Sequence, residues 1–162
     1  MTVKRVAGDG MKQLDVMLKS LGDKAGKVGW LDGAKYETGE TIAGVAATQE
    51  FGEPSKHIPP RPFFRSTIAE KREEWKKVAE GYAKQIAKGA ATTATAMEGI
   101  GLKAAGDVRK KIAAIWTPKL SERTIRERRE RKAGKRTIGA LNKPLIDTGV
   151  MLGALTNSVE DE

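Results

Sequence analysis

The 162-residue chain is long enough for one domain with a modest hydrophobic core, and it carries a formal net charge of +9. It has no cysteine and one histidine, which excludes disulfides, thiolate zinc sites and sites built on paired histidines. We therefore expect no metal and no cofactor. Aromatic residues make up only 5% of the chain, so the core must be mainly aliphatic and thin, and contacts between subunits can complete it.

The start of the chain carries no sign of export or membrane insertion. The first twenty residues contain charged side chains throughout and no apolar run, so we expect a protein made in the cytoplasm without a membrane span. Apolar residues at helical spacing between Met11 and Leu21 predict a short amphipathic helix. The run from Lys27 to Leu31 predicts a strand that enters a tight turn at Asp32-Gly33.

A proline-rich segment interrupts the middle of the chain. A short helix from Ile42 is expected to stop at Gly52, with Phe51 turned toward the core. Residues 54–62 then contain four prolines, which predict an irregular strap because each proline lacks an N–H and restricts the residue before it. Pro62 is expected to serve as the first residue of the next helix, where a missing N–H costs nothing.

Two long helices are predicted after the strap. Apolar residues from Phe64 to Ile86 repeat at steps of three, four and seven, and the same period resumes from Leu102 to Trp116. The Ala- and Thr-rich link of residues 89–96 is either a bend or continuous helix, since propensity does not decide between them. Residues 144–149 lead into a short terminal helix that includes Leu155.

The segment of residues 119–143 has few apolar residues and is expected to form a long loop or arm. Between Lys119 and Arg136 it holds nine basic and three acidic residues. Two interpretations stay open: a surface that faces DNA or an acidic protein, and a solvated arm without a partner. The side chains expected to make such contacts are Arg123, Arg126, Arg128, Arg129, Arg131, Lys132 and Arg136.

Catalytic motifs are scarce. Asp147-Thr148-Gly149 has the form of an aspartic-protease motif, but only thirteen residues follow it, too few for the flap and second apolar element that such a domain needs. The simpler interpretation is that Asp147 or Thr148 caps the terminal helix. Gly99-Ile100-Gly101 lacks the third glycine of a dinucleotide site, and His57 is expected at the surface or an interface. We predict no enzymatic activity.

Several short strings, in this order, resemble phage tail-completion and minor tail-component proteins and Mu-like virion morphogenesis proteins. They are Glu50-Phe51-Gly52, the stretch Ile58-Pro59-Pro60-Arg61-Pro62-Phe63-Phe64-Arg65 with Thr67-Ile68, the stretch from Trp116 to Ile125, and Pro144 to Gly149 with Leu152 and Ser158. The resemblance covers most of the chain from Val28 onward. It implies one α+β domain over residues 1–162, with a small antiparallel sheet packed against long helices and an extended loop or arm.

The resemblance also implies a function: a structural virion subunit at the head-to-tail junction, often a hexameric ring that contacts phage connector and tail proteins. The residues expected near the subunit interface are Phe51, Ile58, Arg61, Phe63, Phe64 and Arg65, with the phenylalanines as anchors and the arginines available for acidic partners. The basic arm is expected to dock on a neighbouring ring or to line the channel for DNA, through weak nonspecific contacts. The chief alternative is a stand-alone nucleic-acid-binding protein; a protease is the third.

Overall fold

The protein has an α+β fold, which confirms the expected class. The computed structural model describes residues 24–30, 33–131 and 138–161, so the helix predicted between Met11 and Leu21 lies outside the described residues. The elements in chain order are β1 (Lys24–Trp30), α1 (Ile42–Phe51), α2 (Phe64–Ala87), α3 (Thr93–Ala114), α4 (Glu122–Glu130), α5 (Val150–Ala154) and β2 (Leu155–Asp161).

The sheet is an antiparallel pair made from the two ends of the described chain. β1 and β2 are in register over their whole length, from Lys24 opposite Asp161 to Trp30 opposite Leu155. The expected terminal helix is therefore wrong in its extent, because it ends at Ala154 and the chain continues as β2. Val159 is the only large apolar residue of β2 after Leu155, so the strand depends on its pairing with β1 rather than on its own sequence pattern.

One face of the sheet packs against α3. The Cβ of Asn157 lies only 2.9 Å from where a Cβ at Gly101 would stand, and Gly26 faces Met97 in the same way at 3.6 Å. Because side chains alternate along a strand, the other face of the sheet points away from α3. That second face, here called the outer face, consists of Ala25, Lys27, Gly29, Thr156, Ser158 and Glu160.

α2 and α3 form a helical hairpin, and α3 lies between α2 and the sheet. The link between them is a bend: α2 ends at Ala87 and α3 begins at Thr93, where the Thr92 hydroxyl accepts a hydrogen bond from the Thr95 N–H. α2 begins at Phe64 rather than at Pro62, which corrects the predicted start of this helix. Thr41 and Ser121 cap α1 and α4 in the same manner as Thr92.

The core lies where α1, the start of α2, the end of α3 and the segment that begins at Leu145 meet. Its buried residues are Ile42, Ala46, Phe63, Val108, Ile112, Leu145, Met151 and Leu155. The prediction that Phe51 turns toward the core is wrong, since its side chain is 62% exposed.

The segment of residues 119–143, which was expected to be a loop, contains the helix α4 over Glu122–Glu130. This helix was not predicted because it has too few apolar residues to show a helical pattern. None of the described helices is both long enough and apolar enough to cross a bilayer.

Candidate functional site

Glu50 is a buried carboxylate that completes the N-terminus of α2. Its oxygens accept hydrogen bonds from the N–H groups of Phe64 and Arg65, at 2.8 and 3.1 Å, and from Arg65 Nε at 2.9 Å. A helix N-terminus leaves N–H groups without intrahelical partners and carries partial positive charge, so an anion is stabilised there. The residue before α2 is Phe63, whose side chain makes no capping hydrogen bond to the helix. Glu50 therefore ties the end of α1 to the start of α2.

Arg61 ties the same region to the segment that follows α3. It is 3% exposed, and its Nε donates to the Pro118 carbonyl at 2.9 Å while Nη1 donates to Gln49 Oε1 at 2.9 Å. Nη2 donates to the Lys119 carbonyl at 3.3 Å. Burial, and after it the charge of Arg128, lowers the pKa of the Arg61 guanidinium. The expectation that Arg61 is available for an acidic partner is wrong, because its donors are used inside the chain.

The side chains of the two phenylalanines that follow the strap lie in different environments. Phe63 is 1% exposed and packs edge-to-face against Trp30, with ring centroids 6.0 Å apart. It belongs to the core of its own chain, which corrects its predicted role as an anchor on a neighbour. Phe64 is half-buried, 6.5 Å from Trp30. The Trp30 Nε1–H donates to the Met151 carbonyl at 2.7 Å, so this aromatic cluster also holds α5.

The strap itself finds backbone partners within the chain. Glu53 and Ile58 pair as an antiparallel bridge, and the Arg61 N–H donates to the Gln49 carbonyl at 2.8 Å. Ile58 is half-buried. What remains on the surface here is Phe51, with the guanidinium of Arg65 4.6 Å from the centre of its ring. Of the six expected interface residues, Phe51 and Arg65 are thus the exposed ones.

Arg128 holds the segment after the basic arm in place. This side chain is 7% exposed, and its Nη1 donates to the carbonyls of Leu141, Lys143 and Ile146, at 3.1, 2.7 and 3.1 Å. Burial is the main cause that lowers the pKa of its guanidinium, with Asp147 acting in the opposite direction. The prediction that Arg128 contacts DNA or a partner is wrong, since its side chain is enclosed by its own chain.

Asp147 belongs to the same network. One carboxylate oxygen accepts from Arg131 Nη1 at 2.7 Å, and the other lies 3.6 Å from Arg128 Nε. The N-cap of α5 is Gly149, at a φ of 81° that favours glycine, and no side chain caps the helix. The expected cap by Asp147 or Thr148 is therefore wrong: Asp147 binds arginines instead of the helix N-terminus.

The other basic side chains of α4 are all exposed, and one of them forms an ion pair within the helix. Arg126 and Arg129 are exposed. Arg123 is also exposed, and its Nε donates to Glu127 at 2.8 Å, one turn along the helix. The other two basic residues named in the sequence analysis, Lys132 and Arg136, lie outside the described residues.

An open apolar groove lies beside this basic region. It has a volume of about 390 Å³ and is lined by Ala113, Trp116, Ile138, Gly139, Ala140, Lys143, Ile146 and Leu152. Lys143 Nζ lies 3.7 Å from the centre of the Trp116 ring, and burial lowers the pKa of this amine. Trp116 and Ile138 are about half exposed, at 50% and 51%.

Sequence reasoning missed Glu50 and Lys143 as structural groups. Glu50 contacts residues fourteen positions away, which no local pattern reveals, although it begins the first string of the phage resemblance. Among the described residues, no group of three His, Asp or Glu side chains is placed to hold a metal ion. No family model, curated protein or solved structure matches the chain.

Proposed function

We propose that this chain is a structural subunit of a bacteriophage particle, a neck or tail-completion protein that forms a ring at the head-to-tail junction. In this role it joins connector and tail proteins, contacts genomic DNA at most weakly and nonspecifically, and catalyses no reaction. It is synthesised in the host cytoplasm and ends in the virion.

The observation that best supports the proposal is how the strings of the resemblance contact one another. Glu50 of the first string caps the helix that begins in the second, and Arg61 of the second binds the carbonyl of Pro118 in the third. These contacts join segments up to 57 positions apart. Three of the four strings are therefore joined through the buried side chains of Glu50 and Arg61, as is expected if the strings belong to one structural unit.

The exposed features are also those of an assembly subunit. An apolar groove that includes the half-exposed Trp116 and Ile138 lies near the basic helix α4, and a contiguous apolar patch is typical of an interaction surface. Among the residues that the structure describes, the large apolar side chains that are exposed are Phe51, Ile68, Leu102, Trp116, Ile138 and Val150. Contacts with neighbouring subunits would cover such residues.

The test is whether the chain is part of phage particles and where it lies. An epitope inserted after Gly89, in the exposed bend between α2 and α3, leaves the core untouched. Gold-labelled antibody is expected at the head-to-tail joint of purified particles, and loss of the chain is expected to give separate heads and tails. Purified virions without the chain, or label distributed over heads, would refute the proposal.

The alternative of a stand-alone nucleic-acid-binding protein retains the exposed arginines of α4, which are Arg123, Arg126 and Arg129. It predicts binding to duplex DNA at physiological salt, with the salt dependence reduced by about one unit of slope for each arginine replaced by alanine. Arg72 and Lys76 on the exposed side of α2 provide the matched control pair. Salt-sensitive binding that fails only in the α4 variants would favour this alternative.

A further inference from the structure

The apolar groove contains a buried lysine without an anionic partner. Lys143 is 7% exposed, and its Nζ makes no hydrogen bond or ion pair with any residue that the structure describes. Its ammonium lies instead against the ring of Trp116, 3.7 Å from the ring centre. A buried charge is ordinarily paired with an opposite charge, because burial removes most of its water. The groove therefore lacks an acceptor that an anion could supply.

Trp116 adds a second unused donor to the groove. The other two tryptophans donate their indole N–H groups, Trp30 to the Met151 carbonyl and Trp75 to Asp107. Trp116 is 50% exposed, and its Nε1 has no acceptor among the described residues. Tryptophan is enriched among the residues that dominate protein interfaces, since it offers a large apolar area and a donor in one side chain.

The surroundings of the groove are positive. Among the described residues that line it, Lys143 is the one charged residue. Arg128 of the basic helix α4 donates to the carbonyls of Lys143 and Ile146, so this helix lies beside one wall of the groove. The nearby carboxylate of Asp147 is balanced by Arg131 at 2.7 Å and by Arg128 Nε at 3.6 Å. An anion from another molecule is therefore attracted to this region.

The rest of the lining indicates which kind of anion fits. Apart from Lys143, the groove is lined by alanine, glycine, isoleucine, leucine and tryptophan. Its volume of about 390 Å³ is near the lower end of the range for ligand pockets, about 300 to 1,000 Å³, and suits one or two side chains. DNA presents phosphates, but surfaces that bind DNA are polar and strongly positive. A protein segment with a carboxylate beside an apolar side chain matches both parts of the groove.

Other parts of this chain match the groove less well. Residues 132–137, which precede Ile138 of the groove, contain no acidic and no large apolar residue. Residues 1–23 contain both kinds, but they join β1 at Lys24, about 20 Å along the strand from the end that pairs with Leu155. A second copy would bring a further net charge of +9 toward the same positive region.

We propose that the apolar groove is the docking site for a segment of another virion protein, in which an aspartate or glutamate lies beside a bulky apolar side chain. The carboxylate pairs with the Lys143 ammonium, and the apolar side chain packs against Trp116 and Ile138. The inference rests on the proposed function for the identity of the partner, and it deepens that function by assigning the surface that binds the partner.

Tethered probes test the chemistry of the groove without a partner protein. The chain has no cysteine, so Ala140→Cys places a single thiol at an exposed position of the groove. This thiol forms mixed disulfides with mercaptopropionate or mercaptohexanoate, or with their neutral amides, in competition with excess mercaptoethanol. Mass spectrometry of the intact protein gives the occupancy by each probe. Ala83→Cys, at an exposed position on α2, is the control for attraction by the net charge of the chain.

At Ala140→Cys, at least one of the two acids is expected to reach several-fold higher occupancy than its amide. Lys143→Met keeps an apolar side chain over Trp116 and should abolish this preference, whereas Lys143→Arg should retain it. At Ala83→Cys, neither substitution of Lys143 should change the ratio of acid to amide. Equal occupancy by acid and amide for both chain lengths, or a preference that survives Lys143→Met, would overturn the proposal.

A photoreactive amino acid in place of Ala113, on the α3 side of the groove, identifies the partner in purified particles. The cross-linked peptide is expected to come from another virion protein and to contain an acidic residue directly beside a bulky apolar one. Lys143→Met, but not Lys143→Arg, should lower the cross-linking yield several-fold.

A cross-link to DNA, to residues 1–23 or to a second copy of the chain would overturn the assignment of the partner, as would a yield that does not depend on Lys143. Particles that lack the chain would refute the proposed function. In that case the tethered probes still decide whether the groove binds a carboxylate beside an apolar group.

Discussion

Two charged side chains of this protein, those of Arg61 and Arg128, stabilise the fold from buried positions. The residues around them in the sequence do not indicate this role. Arg61 and Arg128 lie in basic or proline-rich segments and resemble the solvent-exposed arginines around them, yet each is bound to main-chain carbonyls of a distant segment. A buried cation is stable only where such acceptors surround it, and these acceptors come from backbone that local patterns do not place. For this reason the sequence analysis assigned both arginines to contacts with partners.

Replacing Arg128 with alanine should lower the free energy of unfolding by about 3 kcal/mol, because it leaves three carbonyls without their donor in a buried site. Urea denaturation measures the change, and hydrogen exchange should show faster exchange in residues 138–149. The adjacent exposed residue is the control: Arg129→Ala should change stability by less than about 0.5 kcal/mol. Equal effects of the two substitutions would contradict the buried role of Arg128.

Phe63 and Phe51 should separate folding from assembly. Phe63→Ala removes a side chain that is 1% exposed and should cost about 3 to 5 kcal/mol of stability. Phe51→Ala, at a 62%-exposed side chain, should leave the thermal transition nearly unchanged. Differential scanning calorimetry of the two variants decides; a large loss of stability for Phe51→Ala would place this residue in the core after all.

At the scale of elements, the helices with an apolar period and the strand β1 were predicted, whereas α4 and β2 were not. α1, α2 and α3 follow from their spacing, and the proline strap follows from its missing N–H groups. α4 has one buried residue, Arg128, so it shows no apolar stripe. β2 was missed because strand stability comes largely from the partner, and its partner β1 is separated from it by residues 31–154.

Two glycines of α3 should respond in opposite directions to the same substitution. A Cβ at Gly101 would lie 2.9 Å from Asn157 Cβ, so Gly101→Ala should push β2 from α3 and lower stability by about 1 to 3 kcal/mol. Nothing lies within 4 Å of a Cβ at Gly106, so Gly106→Ala should raise stability by about 0.5 to 1 kcal/mol through helix propensity. Urea denaturation of both variants is the measurement, and a gain for Gly101→Ala would exclude close packing of the sheet on this helix.

The α2-α3 hairpin should weaken in acid. Burial alone raises the pKa of Asp107, but hydrogen bonds from Lys103 and Trp75, at 2.8 and 2.9 Å, and the charges of Lys103 and Lys110 lower it overall. A lowered folded pKa stabilises the fold above the unfolded value of about 3.8, and this contribution is lost as the pH falls through the folded value.

In the Asp107→Asn variant, the free energy of unfolding should therefore fall less at low pH than it does in the wild-type protein. Urea denaturation from pH 7 to pH 2.5 measures this acid limb of the curve of stability against pH. Glu73→Gln, a change at a 71%-exposed carboxylate on α2, serves as the control and should leave that limb in place. If Asp107→Asn has the same acid limb as the wild-type protein, the network around Asp107 does not contribute to stability.

At the scale of the whole molecule, the sheet brings together the first and last strands of the described chain, and it packs on the helix α3. α3 is the central element, with α2 on one side and the sheet on the other, and the main core lies toward the C-terminal end of α3. The α+β class was predicted and is confirmed, while the arrangement around α3 was not predicted. That arrangement depends on Gly101 and Asn157, whose contact spans more than fifty residues of sequence.

A chain that ends at Leu155 should lose the sheet as a unit. β1 would have no strand partner among the described residues, and Gly101 of α3 would lose its contact with Asn157. We expect a lower melting temperature and increased binding of an apolar dye. The full-length variant Glu160→Gln with Asp161→Asn keeps the backbone of β2 and should lose less than about 1 kcal/mol. Equal melting temperatures for the truncated and full-length chains would show that the sheet adds no stability.

The pairing of β1 with β2 also sets an order of events during synthesis. β1 is among the first described segments to leave the ribosome, but its partner is made only after residues 31–154 have been translated. The α2-α3 hairpin is local and folds during elongation, while the sheet forms after translation has passed residue 161. A nascent chain that has not reached Leu155 has no β2, so β1 is without this strand partner while the helices between the two strands fold.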